Sequence, residues 1–194
     1  ANVAKGKKGR LKGQSIAIPT PAQKAAMQQA AIQKTTAQKP AVAPNALPTA
    51  VGAEIQRLMI EAEAKHNAGD NAAAVEIYRR ILSFDQNYAR AWLNLGIILR
   101  MTDKHQAAAA ALRHAVALIP NSPAAWTSYG NGLRGINQFE EAEAAHRKAL
   151  ALDPKFGAAA FNLALVLRDL GRINDAIAMF KHAVDIGYPF DKTE

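Results

Sequence analysis

Apolar residues recur along most of this chain in a pattern that repeats every 34 residues. The stretch Ala89 to Ser122, ARAWLNLGIILRMTDKHQAAAAALRHAVALIPNS, falls on residues 123–156 when moved forward by that period. Trp92 then lies over Trp126, Leu95 over Tyr129, Gly96 over Gly130, Leu99 over Leu133, Ala108 over Ala142, Ala115 over Ala149 and Pro120 over Pro154. One further step reaches Leu163, Ala164, Leu167, Ala176, Phe180 and Ala183, and one step backward reaches Leu58, Ala62, Ala74, Tyr78 and Ile81. Within a copy, large residues at positions 4, 7 and 11 share one face of a helix, and positions 20, 24 and 27 repeat that spacing on a second helix. Four copies, 55–88, 89–122, 123–156 and 157–190, therefore predict four pairs of antiparallel helices in an array. The small residue at position 8 and the alanines at 20 and 27 let the two helices of a pair approach closely; in the set Gly96, Ala108 and Ala115 no side chain exceeds a methyl group.

This spacing resembles the tetratricopeptide repeat, whose signature places a large residue at position 4, Leu at 7, Gly or Ala at 8, a large residue at 11, Ala at 20, an aromatic at 24, Ala at 27 and Pro at 32. Leu112 and His146 depart from it at position 24. The resemblance implies an all-α, right-handed solenoid of four helix-turn-helix repeats over residues 54–194. It also implies a groove lined by the first helix of each repeat, with positions 2, 5, 6, 9, 12 and 13 turned to a ligand. On this sequence those positions include Arg90 at 2, Asn131 at 9, the column Asn94, Ser128 and Asn162 at 6, and the column Arg100, Arg134 and Arg168 at 12. The Asn column is similar to that in the repeats of the O-linked N-acetylglucosamine transferases and related bacterial proteins, which hold extended peptides. An amide offers both donor and acceptor to a peptide backbone whatever its sequence, and guanidiniums favour carboxylates. For the arginines a second reading stands beside ligand contact, because a cation near a helix C-terminus is stabilised by the helix dipole. Leu93, Ile97, Phe161 and Leu165, at positions 5 and 9, are expected as apolar groups exposed in the groove. The Lys and Asn set with which chaperone-binding repeats clamp a C-terminal carboxylate is absent in both frames, which offer Leu93, Ile97, Ser128, Ala158 and Asn162, or Met59, Glu63, Asn94, Ala124 and Ser128.

The two ends of the array differ. Glu61 and Lys65 replace apolar residues at positions 7 and 11 of repeat one, a polar face suited to an N-terminal cap. Gly69 and Asp70 mark the turn between its helices. Repeat four is followed by too short a segment to add a polar closing helix, so Ile177, Phe180 and Val184 are expected to be partly uncovered.

Charge changes the picture only before the repeats. The net charge of +8 resides in residues 1–53, which hold eight Lys and Arg and no acid, whereas residues 54–194 hold sixteen bases and sixteen acids. Residues 1–53 also lack aromatics and hold five of the nine prolines, so they predict a disordered basic arm. Thr20, Pro21 and Gln23 form a helix-start signal, and Pro40, Pro44 and Pro48 an extended linker over 40–50. The cluster Lys5, Lys7, Lys8, Arg10 and Lys12 reads as a solubilising end or as an anchor on an acidic protein surface. Without aromatics for base stacking, only nonspecific phosphate contact would be open to it with nucleic acid.

Enzyme chemistry has little footing. His66, His105, His114, His146 and His182 are scattered over separate repeats, with no HExxH spacing, no phosphate-cradling glycine loop and no GxSxG element. His146, at a core position, predicts a buried or half-buried side chain. No cofactor or metal is expected. The absence of Cys fits a reducing compartment such as the cytoplasm; no apolar run is long enough to span a bilayer, and no secretory h-region is visible. The expectation is a non-catalytic adaptor that holds an extended, acidic partner segment, with self-association through the last repeat or through an arm lying in a neighbour's groove as a further option. The alternative is the targeting region of a larger glycosyltransferase or sulfotransferase.

Overall fold

The computed structural model describes residues 49–188. The basic cluster Lys5 to Lys12, the helix start at Thr20 and the proline linker up to Pro48 lie outside the described residues, as do Pro189 to Glu194. Eight α-helices follow one another among the described residues: α1 (Thr49–Asn67), α2 (Asn71–Phe84), α3 (Ala89–Met101), α4 (His105–Leu118), α5 (Pro123–Gly135), α6 (Phe139–Leu152), α7 (Gly157–Asp169) and α8 (Ile173–Asp185). Odd-numbered helices are the first members of the pairs, even-numbered helices the second. The pair starts reproduce the sequence period from Asn71 to Ile173 and from Ala89 to Gly157 without slippage. The one departure is α1, which begins at Thr49, inside the stretch assigned to the arm and linker. Val51 explains the added length, because it packs on the first core cluster.

Each turn within a pair is built alike. Position 15 adopts the left-handed conformation in all four repeats: Gly69 (φ 82°), Asp103 (58°), Asn137 (61°) and Gly171 (76°). The amide of Lys104 donates to the carbonyl of Leu99 (2.9 Å) and that of Asp103 to Arg100 (3.3 Å); Gln138 to Leu133 and Arg172 to Leu167 repeat the first bond at 3.0 and 2.9 Å. This crossed pair of bonds is the Schellman arrangement, which satisfies carbonyls at the end of the odd helix. Asp70 then caps α2 through its side chain, accepting from the amide of Ala73 at 3.2 Å. Between pairs, the Nε1 of Trp92 donates to the carbonyl of Gln86 (2.8 Å) and that of Trp126 to the carbonyl of Pro120 (2.7 Å). These indoles fix how the following odd helix enters.

The core runs along the array as a chain of local clusters. Leu93 and Ile97 of α3 pack with Leu112, Ala115 and Val116 of α4 and with Ala124 and Ala125 of α5. Leu133, Ala142, Ala145 and Val166 repeat the three-helix arrangement one step on. Burial between neighbours in place of one central core is the solenoid architecture. Close approach within a pair depends on glycine: a Cβ on Gly96 would stand 2.5 Å from Cγ of Leu112, and one on Gly130 would stand 2.7 Å from the ring of His146. Thus position 8 faces position 24 of its own repeat, and His146 fills the core place that Leu112 fills one repeat earlier.

The curvature follows from which helices touch across repeats. Helix α3 contacts α5 and α5 contacts α7, whereas among the described residues no two even-numbered helices pack together comparably. The odd helices therefore form the inner side of the stack. At its start, α1 carries Arg57 in ion pairs with Glu54 (2.8 Å) and Glu61 (3.4 Å). At its end, α8 leaves Ile177 60% and Val184 47% exposed, while Phe180 is half-buried against Phe161. No helix among the described residues is long and apolar enough to cross a membrane.

Candidate peptide-binding face

The inner face takes its chemistry from the first helices. Arg90, at the N-terminus of α3, reaches back to α1 and donates from Nη2 to Oε1 of Glu63 (2.5 Å). Beside it, Nδ2 of Asn94 donates to the hydroxyl of Tyr78 at 3.1 Å. Burial pushes the Tyr78 phenol up to about 12, with the Asn94 bond opposing that rise. Position 6 of one repeat thus faces position 24 of the repeat before. In repeat four the same position is Asn162, whose Nδ2 turns to the carbonyl of Ala158 in its own helix (2.7 Å). The Asn column is therefore half-buried and anchored within the fold, leaving each amide oxygen as an acceptor. Asn131 is also half-buried, on α5.

Ser128 corrects an expectation: it is fully buried (0%), so its hydroxyl is withdrawn from the inner face. Leu93, Ile97, Phe161 and Leu165 correct another, since all four are buried core residues, the first two in contact with α4 and α5 and the last two in the terminal cluster with Ala183. The apolar side chains at positions 5 and 9 are covered by their own repeat partner and are not open to a ligand.

The arginine column is bound together more closely than its spacing alone reveals. Arg134 of α5 donates from Nε to Oδ2 of Asp169 (2.5 Å), and Arg168 of α7 donates from Nε and Nη2 to Oδ1 of the same carboxylate (3.2 and 3.0 Å). Burial alone would raise the Asp169 carboxyl, but the hydrogen bonds and charges of the two guanidiniums outweigh it and hold it below its ordinary value. Arg100 is largely buried, and burial followed by the nearby charge of Arg134 lowers its pKa. Arg134 and Arg168 thus meet at one carboxylate, and the charge of Arg134 is felt at Arg100. Glu63 and Asp169 were missed as site residues, although they occupy positions 9 and 13, both among the groove positions; an acid at either place was the available signal.

His146 is a buried polar group as well. It is fully buried, and neither ring nitrogen has a hydrogen-bond partner. Burial, and then the charge of Arg134, pushes its pKa down to about 3, so the ring is neutral at physiological pH. Among the described residues no group of three or more His, Cys, Asp or Glu is arranged to hold a metal ion.

Two family models for the tetratricopeptide repeat match residues 61–123 and 135–187. No curated protein matches the chain. Among solved structures, MamA from Desulfovibrio magneticus RS-1 is 21% identical with a TM-score of 0.65, over 84% of this chain and 94% of that chain. The O-GlcNAc transferase of Thermobaculum terrenum is 28% identical with a TM-score of 0.59, over 62% of this chain but only 23% of that chain. The first tetratricopeptide domain of Spaghetti (RPAP3), bound to the HSP90 peptide SRMEEVD, is 20% identical with a TM-score of 0.58, over 60% of this chain and 93% of that chain. The matched family models, the four helix pairs in one register and the constant turn geometry make this chain a member of the tetratricopeptide repeat family.

Proposed function

We propose that the chain is a non-catalytic protein-interaction scaffold whose inner face holds an extended segment of a partner protein. The observation that carries this reading is the inner wall of odd-numbered helices, along which Arg90, Asn94, Asn131, Asn162 and Arg168 present partly accessible amides and guanidiniums. Amide oxygens spaced along a wall suit a peptide backbone, and the HSP90 peptide held by a structural relative supports the same use of the fold. The basic arm, from Lys5 to Lys12, adds a second, electrostatic attachment to an acidic partner surface, and two linked contacts exceed either alone through effective concentration. Self-association of this chain through the arm or the last repeat belongs to the same proposal, as does a cytoplasmic location.

The test is selection of peptides from a displayed library on the full chain, followed by their affinities for wild type and for Asn94→Ala/Asn162→Ala/Arg134→Ala. A loss of about tenfold or more is expected on removal of three polar contacts. Equal affinities would place binding elsewhere. Deleting residues 1–48 should leave those affinities in place and reduce binding to an acidic partner surface; unchanged mass by light scattering together with unchanged partner binding would remove the arm from the account. A second reading, the targeting region of a larger glycosyltransferase, draws on the identity shared with the O-GlcNAc transferase; continuation of the natural reading frame into a catalytic domain would support it.

A further inference from the structure

The carboxylate of Asp169 sits where two guanidiniums from successive inner helices converge, and it does not saturate them. Each guanidinium has five N–H donors. Arg134 gives one of them to Asp169 and Arg168 gives two. One negative charge thus stands against two positive ones, with the charge of Arg100 close enough to Arg134 to be felt there. The side chains of Arg134 and Arg168 are 32% and 44% exposed, so ligand atoms can reach both.

Fold maintenance alone does not account for this arrangement. Partly exposed ion pairs contribute little to stability, and the arginine recurs in three repeats while the acid occurs in one. Met101 and Gly135 occupy the position of Asp169 in repeats two and three. The arginines thus form a column, and Asp169 is a single built-in anion placed at its end.

We propose that the inner face around Arg134 and Arg168 recognises a carboxylate side chain within an extended acidic peptide, and that Asp169 is the internal carboxylate with which the partner competes. The inference rests on the groove reading above and deepens it: the partner segment is acidic, and the affinity is set by a residue of the groove itself. An incoming Asp or Glu shares or takes over the guanidinium donors, and repulsion from Asp169 holds the affinity down. Guanidinium pairs suit this role because two parallel N–H groups match one carboxylate.

The test uses two fluorescein-labelled peptides of alternating Gly and Glu or alternating Gly and Gln, titrated by anisotropy into the full chain. Three variants are compared with wild type: Asp169→Asn, Arg168→Gln and Glu76→Gln. The last raises the net charge by the same unit as Asp169→Asn but sits exposed on α2, away from the inner face, so it reports any general gain in attraction, including that of the basic arm. The proposal expects Asp169→Asn to bind the Glu peptide about three- to tenfold more tightly than Glu76→Gln does, and Arg168→Gln to bind it weaker than wild type by a similar factor. The Gln peptide should be indifferent to both. Because the two inner-face variants move affinity in opposite directions, loss of folding cannot imitate the result. Equal tightening by Asp169→Asn and Glu76→Gln, equal binding of the two peptides, or no binding of either would each overturn the inference. The groove reading stands or falls separately, on the affinities of the displayed peptides for the triple alanine variant.

Discussion

His146 shows what a single residue does to the joint between the two helices of one repeat. The sequence placed it at a core position, and there it lies, but the repeat pattern could not reveal that both nitrogens are buried without partners. The unfolded imidazole takes up a proton near its ordinary value of 6.5, whereas the folded one does so only near about 3. Stability from this group is therefore full above about pH 6.5 and falls as pH drops toward 3, by about 1.4 kcal/mol per pH unit within that window. Urea midpoints measured from pH 7.5 to 4.5 should show this slope in wild type and lose it in His146→Leu, the residue type that repeat two uses at that place. His146→Leu should also be about 1 kcal/mol more stable at pH 7, since two unpartnered buried nitrogens disappear; parallel pH profiles would contradict the neutral, buried ring. The glycine above it is equally specific. Gly130→Ala would set a Cβ 2.7 Å from that ring, and the predicted loss is roughly 1 to 3 kcal/mol by chemical denaturation. That glycine was legible as a small position in the repeat. What faced it was not.

At the scale of the element, the four helix pairs were legible in the period, because apolar positions recur at helical spacing twice within each 34-residue unit; where each helix begins and ends was not read from it. The turn itself was legible in repeat one, through Gly69 and Asp70, yet the same geometry holds Asp103 and Asn137, where no glycine announces it. Asn and Asp tolerate the left-handed region better than other side chains with a Cβ. Gly171→Ala, in open space but at φ 76°, should cost about 1 kcal/mol through backbone strain alone. Asp70→Ala should cost about 1 kcal/mol through its lost cap bond, while Gln138→Ala, at the same position without such a bond, should stay within about 0.5 kcal/mol. Thermal or urea unfolding of the three variants checks the ranking; a Gln138→Ala loss matching that of Asp70→Ala would show that the cap is not the source. Position 5 and 9 residues mark the limit of reading elements from pattern. An apolar residue on an odd helix can be covered by its even partner or by a ligand, and the sequence treats both alike; Leu93 and Ile97 are covered by the partner.

For the whole molecule, a stack stabilised between neighbours should open from its ends. Helix α8, with Ile173, Ile177 and Val184 exposed, should lose amide hydrogens to exchange soonest, and α4 to α6 last; uniform protection would imply one cooperative core. The division between a neutral array and a basic N-terminal segment was visible in the charge count, as was the column of arginines. The convergence of two of them on Asp169 was not, because it joins residues 35 positions apart across a repeat boundary. The claim on which the functional account turns is that partners lie along the odd-numbered helices. Photo-crosslinking tests it most directly: a display-selected peptide carrying a benzoylphenylalanine at its centre is irradiated with the full chain, and the adducts are mapped by mass spectrometry. The account predicts adducts on α3, α5 and α7 around Arg90, Asn131 and Arg168. Adducts concentrated on the exposed faces of the even-numbered helices, at Glu76, Arg113, Arg147 or Lys181, would contradict it.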